Sequence, residues 1–115
     1  MKKLTTTICL LLISVLASTA QVTHKLSHSE ALAAVSAKVP PVYPPIARQL
    51  KIEGAVEVEA VVGEDGLVES VNIVSGNPML TKPAVEAIRK WKFTPQVQDG
   101  KPTRAIAPIT LNFKM

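Results

Sequence analysis

Few side chains in this sequence are spaced for chemistry. His24 and His28 lie four residues apart, the spacing that sets two imidazoles on one helical face for a metal ion. No third ligand is near them, so a solvated tail is the simpler reading. Glu64-Asp65-Gly66 has the start of a calcium loop, but too few oxygen ligands follow, and a hairpin tip fits better. Ser75-Gly76 lacks the flanking glycine of a nucleophile elbow, and both histidines are far from any carboxylate with a folded position. The sequence therefore predicts no catalytic residue, metal, cofactor or direct small-molecule substrate, and hence no enzyme. Arg89, Lys90 and Lys92 form a basic face, either simply solvated or able to steer an acidic protein segment.

Composition narrows the class further. Lys2 and Lys3, an apolar run from Ile8 to Ala17 and the small residues Ser18-Thr19-Ala20 read as an export signal cleaved after Ala20. The alternative is an inner-membrane anchor through residues 4–20, although the run is short and flanked by threonines and serine. The only cysteine, Cys9, lies within that leader, so the exported chain can form neither disulfides nor thiolate metal sites. Removing Lys2 and Lys3 lowers the formal charge from +4 to +2, and the aromatic content is only 3%, leaving no stacking platform for nucleic acid.

Three stretches follow the leader. Residues 21–40 are a flexible or partly helical tail with a proline-rich linker. Ser27 followed by Glu30 can form a capping box for a helix through Ala31, Leu32 and Val35, but so short a helix is marginal alone. Pro40, Pro41, Pro44 and Pro45 predict extended polyproline II, with Pro45 opening a short helix whose inner side is Ile46, Ala47 and Leu50. That unit ends at Gly54.

Residues 41–115 carry the folded domain. Val56, Val58, Ala60 and Val62 alternate with Glu57 and Glu59, as a half-buried strand does. Asp65-Gly66 predicts a two-residue type I′ hairpin. It sets Ala60 opposite Val71, Val58 opposite Ile73 and Val56 opposite Ser75, with a bulge near Glu69-Ser70. Thr81 is the expected N-cap of a helix over Lys82 to Trp91 that buries Ala84, Val85, Ile88 and Trp91. Lys92-Phe93-Thr94-Pro95 leaves that helix, and Gln98-Asp99-Gly100-Lys101 makes a further turn. Ala105, Ala107, Ile109, Leu111 and Phe113 then alternate with Thr110, Asn112 and Lys114 in a last strand, where Pro108 points to a sheet edge or a bulge.

The predicted fold is α+β: a two-layer domain with a three-stranded antiparallel sheet packed against a helix, in the order α-β-β-α-β. Gly54, Asp65, Gly66, Ile88, Trp91, Phe93, Pro95 and Phe113 are the expected structural positions. Tyr43, held between prolines, is either an exposed contact or a lid on the core.

Six landmarks occur in one order. They are Pro41-Val42-Tyr43-Pro44, Lys51-Ile52-Glu53-Gly54, Asp65-Gly66, Ser75-Gly76, Ala84 through Trp91-Lys92-Phe93-Thr94-Pro95, and Pro108 to Phe113. In this series the chain resembles the C-terminal domain of TonB, the periplasmic energy transducer of Gram-negative bacteria. The resemblance implies a periplasmic module that binds a segment of a TonB-dependent outer-membrane transporter, or of another envelope protein, as an added strand. It further implies a relation to energy transduction for transport. Tyr43, Pro44, Thr110, Asn112 and Lys114 are then the partner-binding candidates. The alternative is a self-associating structural or adaptor protein of the envelope, a homodimer through the same exposed edge.

Overall fold

The computed structural model describes residues 23–115, so the expected leader and its cleavage point lie outside the described residues. The elements in chain order are β1 (His24–Lys25), α1 (His28–Ala34), β2 (Val35–Ala37), α2 (Pro45–Gln49), β3 (Gly54–Val62) and β4 (Val68–Ser75). They continue with α3 (Pro78–Arg89), β5 (Lys92–Phe93), β6 (Gln96–Gln98), β7 (Lys101–Thr103) and β8 (Ala105–Phe113). The main sheet has the order β1-β8-β3-β4, and two small ribbons join β2 to β5 and β6 to β7. The antiparallel trio β8-β3-β4 and the helix against it are the α+β fold that the alternating valines predict.

β3 is the central strand because Val56, Val58, Ala60 and Val62 all turn to the core, while its backbone pairs on both sides. Its register with β8 is continuous, from Gly54 opposite Phe113 to Val62 opposite Ala105. Its register with β4 is interrupted twice. Glu69 is the extra residue between Val68 and Ser70, at the expected bulge. Val74 is a second extra residue, and it sets Ser75 opposite Glu57 instead of Val56. Ile73 keeps its expected place opposite Val58, but β4 is the last strand of the sheet and Ile73 is 53% exposed where burial was expected.

The type I′ geometry expected at Asp65-Gly66 is found instead at Asp99-Gly100. A type I′ turn needs positive φ at both central residues. Asp99 (φ 51°) and Gly100 (φ 76°) meet that condition, whereas at the first hairpin only Gly66 (φ 83°) does. There the Gly66 N–H donates to the Gly63 carbonyl at 3.0 Å and the Gly63 N–H to the Leu67 carbonyl at 2.8 Å, giving a three-residue loop. The Asp65 side chain holds it by accepting from the Leu67 N–H at 3.0 Å.

Helix α3 starts earlier than expected, at Pro78. Asn77 is a better cap than Thr81: its side chain accepts from the Met79 N–H at 2.9 Å, with Pro78 behind it at the first helical position. Thr81 lies inside the helix and donates its hydroxyl to the Pro78 carbonyl. Leu80 thereby joins Ala84, Ala87 and Ile88 on the buried face, and Trp91 follows just after the helix end. Trp91 is 4% exposed, and its Nε1–H donates to the Val39 carbonyl at 2.8 Å, pinning the proline-rich stretch to the core.

The segment His24 to Ala37 is ordered against the domain. Ser27 caps α1 by accepting from the Glu30 N–H at 3.2 Å; this is half of the capping box read from the sequence, because the Glu30 carboxylate meets the Ser27 hydroxyl instead of the Ser27 backbone N–H. Ala31 and Ala34 are the buried positions of α1; Leu32 is exposed. α3 covers β3 and β4, and α1 covers β8, so the sheet has two helices over it. The marginal helix is stabilised by this docking, with Leu26 and Ala31 in the common core. In α2 only Ala47 is buried. Ile46 and Leu50, expected inward, are 54% and 61% exposed, because a helix of five residues offers the core little more than one position.

Candidate functional site

β8 offers an open backbone edge. The His24 N–H donates to the Arg104 carbonyl and the Leu26 N–H to the Ile106 carbonyl, both at 2.9 Å. In a strand, successive residues alternate the side to which their N–H and C=O point. Residues 104, 106, 108, 110 and 112 therefore address the outer margin, and 105, 107, 109, 111 and 113 address β3. β1 spans only the start of this edge. The outward groups of Thr110 and Asn112 meet no backbone partner among the described residues, and neither does the Pro108 carbonyl. Pro108 sits opposite Glu59 in unbroken register, so its missing N–H falls on the open side and costs no ladder bond.

The side chains at the far end of this edge come together. Phe113 is buried, and the Tyr43 ring packs against it edge-on, with centroids 5.6 Å apart and planes at 80°. The Tyr43 hydroxyl donates to the Ile52 carbonyl, and the Arg48 guanidinium stands 5.4 Å from the ring centroid. Tyr43 is half-buried, so it closes the core and keeps one side in solvent. Pro44 is the N-cap of α2 beside it. Asn112, Phe113 and Lys114 also line a shallow open cleft with Glu53, Gly54 and Ala55. Thr110 lies further along the strand, on the face opposite the helices.

Among the expected structural positions, Ile88, Trp91, Phe93 and Phe113 are buried. Gly54 (φ 150°) opens β3 at an exposed position. Gly66 is held by a close approach: a Cβ there would lie 2.0 Å from the Phe93 carbonyl oxygen, and the Phe93 N–H donates to the Gly66 carbonyl at 2.9 Å. Asp65 and Pro95 are exposed.

The histidine pair does not share a helix. His24 belongs to β1, with its Nε2 at 3.8 Å from Glu30, and His28 opens α1. Among the described residues no three His, Cys, Asp or Glu side chains are grouped as metal ligands, and no helix is long and apolar enough to cross a membrane. What the sequence did not reveal is β1. Two polar residues, one half-buried and one exposed, carry no strand signature, and the pairing is visible only once β8 is placed.

A family model described as the Gram-negative bacterial TonB protein C-terminal matches residues 39–115. Protein TonB of Vibrio cholerae is 40% identical over 85 residues, which span 72% of this chain and 35% of that protein. Protein TonB of Escherichia coli K12 is 38% identical over 77 residues, 65% of this chain and 30% of that protein. The chain thus spans about a third of the length of these relatives. The solution NMR structure of the Pseudomonas aeruginosa TonB C-terminal domain superposes with a TM-score of 0.59 at 31% identity, covering 70% of this chain and 84% of that one. A structure of the TonB2 protein from Vibrio anguillarum gives a TM-score of 0.51 at 34% identity, covering 66% and 74%.

Proposed function

This chain belongs to the TonB C-terminal family, and from that premise we propose that it is a periplasmic protein-binding module. Its partner is a segment of a TonB-dependent outer-membrane transporter or of another envelope protein, taken up as an added strand along β8. The role is related to energy transduction for transport. Export follows cleavage after Ala20, which intact-mass analysis of the exported chain checks; a chain still beginning at Met1 in the membrane fraction contradicts it.

The observation that carries this reading is the regular, unpaired margin of β8 from Pro108 to Phe113. Strand addition draws its affinity from main-chain hydrogen bonds, and its specificity from pockets for alternate side chains. Thr110 and Asn112 supply the free N–H and C=O pairs. Tyr43, Asn112 and Lys114 surround the end of the edge, where side-chain selection takes place.

Replacing Asn112 tests this directly. Asn112→Pro removes an outward N–H, whereas Asn112→Ala leaves the backbone able to pair. With a TonB-box peptide as ligand, the proline variant loses binding and the alanine variant keeps most of it, both folded by circular dichroism. Equal loss in both assigns recognition to the side chain, and loss in neither moves the docking edge to β4.

A further inference from the structure

The geometry points to residues 24–37 as a built-in cover that must leave the β8 edge before a partner strand can pair along its full length. The inference rests on the strand-docking reading above. β1 lies parallel to β8, His24 beside Ala105 and Lys25 beside Ile106, and takes up the Arg104 and Ile106 carbonyls. It is itself an added strand, made in cis on the edge assigned to the partner. What remains open has only two outward N–H groups, Thr110 and Asn112, because Pro108 has none. Clearing β1 returns the Ile106 amide and the Arg104 and Ile106 carbonyls to the ladder and extends the edge past the proline.

Three features mark this segment as the displaceable part. It precedes residue 39, where the match to the family model begins. Its strand is two residues long, with His24 half-buried and Lys25 exposed. The moorings of the segment are few: Leu26, Ala31 and Ala34 in the core with Val35 packed against it, the Ala34 carbonyl accepting from the Thr94 N–H at 2.7 Å, and the short pairing of β2 with β5. Charge adds one weak tie to the sheet, with Lys25 3.9 Å from Glu59. Elements with few apolar contacts and short ladders open first in a folded protein.

Two variants of the full chain, both carrying Cys9→Ser, test the cover. Lys25→Cys with Ile106→Cys clamps β1 shut, since neighbouring strands hold Cα atoms at a separation that a disulfide spans. Leu26→Asp loosens the cover without touching β8, and Leu26→Ala replaces it if circular dichroism shows unfolding. Apparent affinity scales with the fraction of open edge. A labelled TonB-box peptide should therefore bind at least about 10-fold more weakly to the clamped chain, with reductant restoring it, and more tightly to the loosened one. Equal affinity in all forms overturns the cover and leaves the docking reading standing. If no form binds the peptide, the docking reading fails, and sedimentation decides the cover. A loosened chain that dimerises while the clamped chain stays monomeric supports it, and monomers throughout overturn it.

Discussion

The sheet has two margins, and they differ in how ready they are to take another strand. β4 is interrupted by extra residues at Glu69 and Val74, so its outer ladder is twisted near both ends. β8 keeps nine consecutive pairs with β3 and has no bulge. Bulges are a common device for keeping a sheet edge from pairing with other chains. The difference teaches that this domain protects one edge by distortion and leaves the other straight, covered only at its start by β1. An Asp-Gly turn leads into β4, and a second one, between β6 and β7, precedes β8. The turn before β4 is tied to β5 through Gly66, whereas the turn before β8 stands free, with nothing within 4 Å of a Cβ added at Gly100.

The largest expected effect removes the support common to both edges. Trp91→Ala should destabilise the domain by about 3–5 kcal/mol, the usual cost of emptying a buried large aromatic site. Denaturant unfolding measures it, and a loss under about 1 kcal/mol contradicts the pinning role of the indole at Val39.

The turns come next. Gly66→Ala should cost more than about 2 kcal/mol, since it adds a clash with the Phe93 carbonyl to the strain of positive φ. Gly100→Ala meets only the strain, about 1 kcal/mol. Equal losses in thermal unfolding mean that the two turns are held alike, and the contrast between the margins is then weaker than described. The smallest effect belongs to the outer face: Lys25→Ala should change stability by less than about 0.5 kcal/mol, because its ion pair with Glu59 is long and solvated.

The margins were unequally legible in the sequence. β8 was readable because its apolar residues alternate without interruption and Pro108 declares an edge. The core of β4 followed from pairing Val71 and Ile73 with β3, and the Glu69 bulge showed as Val68 out of phase. The Val74 bulge was not readable: Ile73 and Val74 are both apolar, so the pattern gives no sign of which residue is extra. The start of α3 was missed because Thr81 and Asn77 are both acceptable caps, and the choice depends on where Leu80 packs. The cover was missed because α1 owes its stability to a surface that the local sequence does not contain. Of the candidate binding residues, Thr110 and Asn112 are neighbours on the sheet face away from the helices, while Tyr43 packs on Phe113 on the core side. The relevance of Thr110 lies in its backbone, a property that residue type does not display.

Residue-resolved amide hydrogen exchange, with and without a TonB-box peptide, tests the central claim most directly. Alternation assigns the outward N–H groups of β8 to Thr110 and Asn112, and those of β4 to Val71 and Ile73. The account predicts that peptide slows exchange at Thr110 and Asn112 and leaves Val71 and Ile73 unchanged. Slowing at Val71 and Ile73 with none at Thr110 and Asn112 contradicts it and assigns docking to the bulged edge.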